Sequence, residues 1–150
     1  MMAPRFLPVV MAPPPPIEWK RTALAPGGAI LVAGDRSIRR FSSTGARTQE
    51  LALGSEPQCV AAGSAGAVYV GLRDRVQVFD AKGARAAEWQ SLGPRAHLTA
   101  LAVGPDAVYL ADAGQRVVQR CDLAGKVCAL LAQPDAAHER SGLIVPSPYL

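Results

Sequence analysis

The chain has 150 residues, a mass of 15.7 kDa and a mean hydropathy of +0.13, the size of one domain with a single core. At 49% hydrophobic and 19% charged it is excluded from the disordered class, and with only 5% aromatic residues its interior must be built mainly from Ala, Val and Leu. No apolar run approaches the roughly 18 residues of a spanning helix, because Pro, Gly or a charge interrupts every stretch. The formal charge of +4 belongs to the first third: residues 1–50 hold seven basic and three acidic side chains, residues 51–100 five and four, residues 101–150 four and five. No Lys/Arg run exceeds two, so a solvated, mildly basic surface is expected and nucleic acid is not an expected partner.

Residues 1–16 form a Pro-rich N-terminal segment. Phe6 to Ala12 is short for a secretory apolar region and is broken by Pro8, so no cellular location follows from it. Pro13 to Pro16 favour a stiff polyproline II spacer, and the folded part is expected over 17–150.

From there the chain repeats itself. Ala29-Ile-Leu-Val-Ala33, Ala67-Val-Tyr-Val-Gly71 and Ala107-Val-Tyr-Leu-Ala111 are three short apolar strands whose starts lie 38 and 40 residues apart. Each is followed by a polar link with an Asp/Arg pair: Asp35 and Arg36, Arg73 and Asp74, Asp112 and Arg116. A second strand follows at Ser37 to Phe41, Arg75 to Phe79 and Arg116 to Cys121. Arg75-Val76-Gln77-Val78-Phe79 shows the near alternation of a strand whose two faces differ.

The next connection is constant. Ser42-Ser-Thr-Gly45, Asp80-Ala-Lys-Gly83 and Asp122-Leu-Ala-Gly125 place a Ser or Asp oxygen first and Gly fourth, as a type I turn with a left-handed bulge residue requires. Returning strands are predicted at Ala46 to Leu51, Arg85 to Trp89 and Lys126 to Leu131. Further small-residue strands are predicted at Cys59 to Ala62 and Leu98 to Val103. Gly and Pro at nearly every junction leave no room for a substantial helix, so the fold class is all-β.

A unit of about 40 residues with four strands has the size of one β-propeller blade. The third copy, Ala107-Val-Tyr-Leu-Ala-Asp-Ala-Gly-Gln-Arg-Val-Val-Gln-Arg-Cys-Asp-Leu-Ala-Gly-Lys126, resembles the NHL-repeat pattern: apolar strand, Ala-Asp, a small residue with Gly, an Arg-led strand, then Asp-x-x-Gly. Ala67 to Gly83 and Ala29 to Gly45 match more loosely. The resemblance spans roughly 28–131, and Gly142 to Pro148 looks like the opening of a further repeat. It implies an incomplete β-propeller of four-stranded antiparallel blades, three at most in 17–150. Propellers close with about four to eight blades. The chain is therefore expected to need remaining blades or self-association to cover its end faces.

What the resemblance implies for function is a non-enzymatic scaffold for a protein, peptide or ligand, with no cofactor and no metal. Propellers similar to this one include metal-dependent hydrolases and lyases, and a fragment of such an enzyme is the first alternative; an RNA-binding propeller face is the second. No HExxH, G-x-S-x-G or P-loop pattern is present, and His97 and His138 do not recur between copies.

The six link residues Asp35, Arg36, Arg73, Asp74, Asp112 and Arg116 should emerge on one face as a polar arc. That arc is either the rim of a binding surface or a set of braces for the turns. Tyr69 and Tyr109, and Phe41, Phe79 and Cys121, occupy equivalent positions and are expected in the core, with Trp19 and Trp89 packing on outer or edge strands. Cys121 and Cys128 flank one hairpin, but the turn pairs Cys121 with Val127 and sends Cys128 to the opposite face. The three thiols, with Cys59, are thus expected free and largely buried.

Overall fold

The computed structural model describes residues 19–132. Twelve strands follow one another in this span. The first four are β1 (Trp19–Leu24), β2 (Ile30–Gly34), β3 (Ser37–Phe41) and β4 (Arg47–Ala52). The next four are β5 (Cys59–Ala62), β6 (Val68–Gly71), β7 (Val76–Phe79) and β8 (Arg85–Glu88). The last four are β9 (Leu98–Val103), β10 (Val108–Asp112), β11 (Val117–Cys121) and β12 (Val127–Ala132). The helical content is two three-residue 3-10 turns, Pro26–Gly28 and Ser64–Gly66. The strands form three four-stranded antiparallel sheets in chain order, β1-β2-β3-β4, β5-β6-β7-β8 and β9-β10-β11-β12. Among the described residues no helix is long and apolar enough to cross a membrane.

The turn chemistry explains the shared register. Asp80 Oδ1 accepts the backbone N–H of Lys82 (2.9 Å) and Ala84 (3.0 Å), and Asp122 Oδ1 accepts those of Ala124 (3.0 Å) and Lys126 (2.9 Å). Ser42 Oγ takes the Ala46 N–H at 3.2 Å in the first sheet. Gly45, Gly83 and Gly125 have φ of 88°, 87° and 94°, the left-handed region in which a Cβ is strained. Each turn is followed by a bulge at one position, after Arg40, Val78 and Arg120, and Cys121 pairs with Val127 as its spacing predicts.

The sheets stack face to face, with the first strands β1 and β9 each approaching β5 from opposite sides. Every residue of β6 and β7 is buried, because the middle sheet is covered on both sides. Val68, Val70 and Phe79 turn to Leu31, Ala33 and Ile38 of the first sheet; Tyr69, Val76 and Val78 turn to Leu98, Val108 and Leu110 of the third. Each buried Val, Leu, Ile or Phe among them contributes about 1.5–3 kcal/mol. The fourth strands are peripheral, and β8 is exposed throughout.

The predicted strands lie within a residue or two of those observed. The first sheet is completed by β1, which the repeat pattern does not show. Tyr69, Phe79 and Cys121 are in the core, whereas Phe41 and Tyr109 are half-buried because among the described residues no further sheet packs on their faces. Trp19 opens β1. Trp89, one residue past β8, is buried edge-on to Tyr69 with ring centroids 6.3 Å apart. The cysteines are all free, but the expectation of buried thiols fails at Cys128: it is exposed on peripheral β12, which no other described strand covers, while Cys59 and Cys121 are buried. His138, Gly142 to Pro148 and residues 1–16 lie outside the described residues.

Candidate functional site on the link face

Because strand direction alternates, the connection between second and third strands leaves each sheet at the same end as the link to the next sheet. The first set comprises Asp35–Arg36, Leu72–Arg75 and Ala113–Arg116; the second comprises 53–58 and 89–97. The two sets are laced by backbone bonds. Leu53 N–H donates to Arg36 O (2.8 Å), Leu92 N–H to Asp74 O (2.7 Å), Leu98 N–H to Arg73 O (2.9 Å) and Ala113 N–H to His97 O (2.9 Å). The approach at Ala113–Arg116 is close enough that a Cβ on Gly114 would overlap the Arg95 carbonyl.

The six predicted residues have different fates on this face. Asp35 and Arg36 are exposed on a two-residue connection in which Asp35 has φ of 47°. They line a recess of about 570 Å³ with Lys20, Gly54, Ser55 and Glu56, and Lys20 pairs with Glu56 across it. Ser55 and Glu56 also line a second recess of about 330 Å³, which Arg73, Asp74, Arg75 and Glu88 complete. The structure thus places Asp35 and Arg36 in one recess and Arg73 and Asp74 in its neighbour, the two sharing Ser55 and Glu56.

Asp74 is the anchor of the second recess. Its carboxylate accepts Nε and Nη2 of Arg75, each at 3.1 Å, and the Ser91 hydroxyl. The Arg75 and Ser91 donors hold its pKa below the ordinary value. Arg75 also reaches Glu88 at 3.2 Å, and Glu88 accepts from Gln77 (2.9 Å) and Arg85 (3.2 Å), donors that lower its pKa likewise.

Asp112 lines neither recess. It is 1% exposed, and its oxygens accept the His97 N–H (2.9 Å), the Gln115 N–H (3.1 Å) and Gln115 Nε2 (2.8 Å). It ties the third sheet's connection to the link from the second sheet. Arg116, at φ of 59°, is exposed beyond both recesses.

Among the described residues the side chains of Asp35, Arg36, Arg73, Arg95 and Arg116 make no hydrogen bond or ion pair. Four uncommitted guanidiniums therefore stand against one uncommitted carboxylate, a set of fork-shaped donors suited to partner carboxylates. Sequence reasoning missed Lys20, Ser55, Glu56 and Glu88. The first three come from β1 and the inter-sheet link, where no repeat signal points. Among the described residues no group of three or more His, Cys, Asp or Glu side chains is placed to hold a metal ion.

No family model matches the chain, and no curated protein matches its sequence. Solved structures do. A streptogramin B lyase structure superposes with a TM-score of 0.67 at 19% identity, over 77% of this chain and 41% of its own. Hydrazine synthase of Kuenenia stuttgartiensis gives 0.66 at 15% identity over 84% and 39%. Virginiamycin B lyase from Staphylococcus aureus gives 0.63 at 16% identity over 73% and 40%. The chain spans about two fifths of the length of these structures. With three in-order four-stranded sheets stacked but not closed, it has the fold of an incomplete β-propeller.

Proposed function

We propose that the chain is a non-enzymatic, NHL-repeat-like propeller segment whose link face is the docking rim for an acidic segment of a protein or peptide. The observation that carries this is the pair of neighbouring recesses that share Ser55 and Glu56, with unpaired Arg36 in one and unpaired Arg73 in the other, on a scaffold laced by backbone hydrogen bonds. The recurring Ser/Asp-x-x-Gly turns and the Ala-Asp of the third copy support the NHL-like assignment. Bracing by Asp74 and Asp112 supports a rigid rim, which keeps the entropic cost of binding low.

The test is fluorescence anisotropy with a labelled Asp/Glu-rich peptide, a Lys-rich peptide and a single-stranded RNA, using wild type and Arg36→Glu/Arg73→Glu. Saturable binding of the acidic peptide alone, weakened about tenfold or more by the double substitution and by added salt, is expected. Binding unchanged by the double substitution, or preference for RNA, would contradict the proposal.

A further inference from the structure

On the link face, two residues that line the first recess are engaged with each other. Lys20 of β1 and Glu56 of the link between the first two sheets form an ion pair across it, and their side chains stay 39% and 46% exposed. Exposed pairs of this kind are weak and exchange readily with a competing charge. Backbone geometry aims Lys20 at this place. Trp19 pairs with Gly34 and Arg21 with Ala33, so Lys20 is the extra residue of a bulge in β1. A bulge releases a residue from the ladder and re-aims its side chain. The Lys20 carbonyl accepts Arg21 Nη1 at 3.0 Å, and its side chain lines the recess with Asp35 and Arg36.

Glu56 stands on the wall that the two recesses share, because with Ser55 it lines both. Its link is anchored on either side of it: Leu53 N–H donates to Arg36 O and Gln58 N–H to Gly71 O, each at 2.8 Å. The Glu56 carboxylate has the chemistry of the ligand proposed for this face. It occupies a cation that the first recess would otherwise offer beside the unpaired Arg36.

Resting on the link-face reading above, we infer that Lys20 is a third cation of the docking site and that Glu56 is its internal stand-in ligand, which a carboxylate of the bound segment displaces. One ion pair exchanges for another. Arg36 and Arg73 are uncommitted and meet the segment directly, whereas Lys20 becomes available only as Glu56 leaves it. The Lys20–Glu56 pair therefore holds the affinity for acidic segments below what the three cations would give alone, by a factor equal to its own strength. For an exposed pair that factor is about two to five.

The test is a double-mutant cycle read by fluorescence anisotropy with the labelled Asp/Glu-rich peptide, using the full chain as wild type, Glu56→Gln, Lys20→Gln and the double variant; both positions are exposed. Glu56→Gln is expected to tighten binding at least about twofold. Lys20→Gln is expected to weaken binding about two- to fivefold more in the Glu56→Gln background than in wild type, since only there is the ammonium free before the peptide arrives. A mere change of net charge would make the two losses equal, because repulsion between Glu56 and the peptide cancels around the cycle. Saturable binding that depends on Arg36 and Arg73 but shows equal losses in the two backgrounds would overturn this inference and leave the link-face reading standing. Failure of the peptide to bind both wild type and Glu56→Gln would overturn the two together.

Discussion

Asp112 offers a sharp test of the link face, because three donors depend on one buried carboxylate. Asp112→Ala would strand the backbone N–H groups of His97 and Gln115 and one of the two N–H donors of the Gln115 side-chain amide, whose other acceptor is the Leu92 carbonyl, at a site 1% exposed. Each stranded donor costs about 1–3 kcal/mol, and water entering the vacated space offsets part of the sum, so about 2–4 kcal/mol is expected. Asp112→Asn keeps Oδ1, which serves both backbone donors, and loses only the acceptor for the Gln115 side chain; about 1 kcal/mol follows. At about 4–8 °C per kcal/mol for a domain near 100 residues, the Asn variant should melt about 5 °C lower and the Ala variant at least about 10 °C lower. Urea titration and thermal melting measure both, and amide exchange should place the loosening at the 93–97 link and the 113–116 connection. An Ala variant within about 0.5 kcal/mol of wild type, or an Asn variant as damaged as Ala, would refute the bracing role.

Three further outcomes follow from the packing. Gly45→Ala and Gly125→Ala impose the same left-handed strain, but only the second drives a Cβ into Trp89; unfolding midpoints should show a loss of about 1 kcal/mol for the first and about 2–4 kcal/mol for the second. Exposed Cys128 should react first with DTNB near neutral pH, while Cys59 and Cys121, each pushed up to about 11 chiefly by burial, react only as the fold opens; denatured protein should release three thiols without reductant. Asp74 has a folded pKa below its unfolded value, so its contribution is complete above the unfolded pKa of about 3.9 and is lost as pH falls through the folded pKa. Asp74→Asn should therefore flatten the acid limb of a stability–pH curve, and an unchanged limb would contradict the Arg75 and Ser91 assignment.

Much of the fold was legible because turn chemistry and strand period agree in every copy. Asp80 and Asp122 with Gly83 and Gly125 specify the hairpin, the hairpin sets the register, and the register places Cys121 opposite Val127. β1 was not legible: Trp19-Lys-Arg-Thr-Ala-Leu24 has little alternation and is a strand because it completes the first sheet.

At the site, an Asp/Arg pair marks every link, yet the carboxylate's position relative to the strand end decides which one turns inward. Asp35 sits on a two-residue connection and stays in solvent, whereas Asp112 ends β10 and continues the buried alternation of Val108 and Leu110. That period of two was the signal for its burial. Lys20 and Glu56 meet across separate elements 36 residues apart, a contact that only the stacking of sheets creates.

The most direct test of three stacked sheets is residue-resolved amide hydrogen exchange. Among the described residues only the middle sheet is covered on both faces, so the slowest exchange is expected in Val68–Gly71 and Val76–Phe79, with faster exchange in peripheral Arg85–Glu88 and Val127–Ala132. Strongest protection in a peripheral strand, or uniform protection across all twelve strands, would contradict the incomplete propeller.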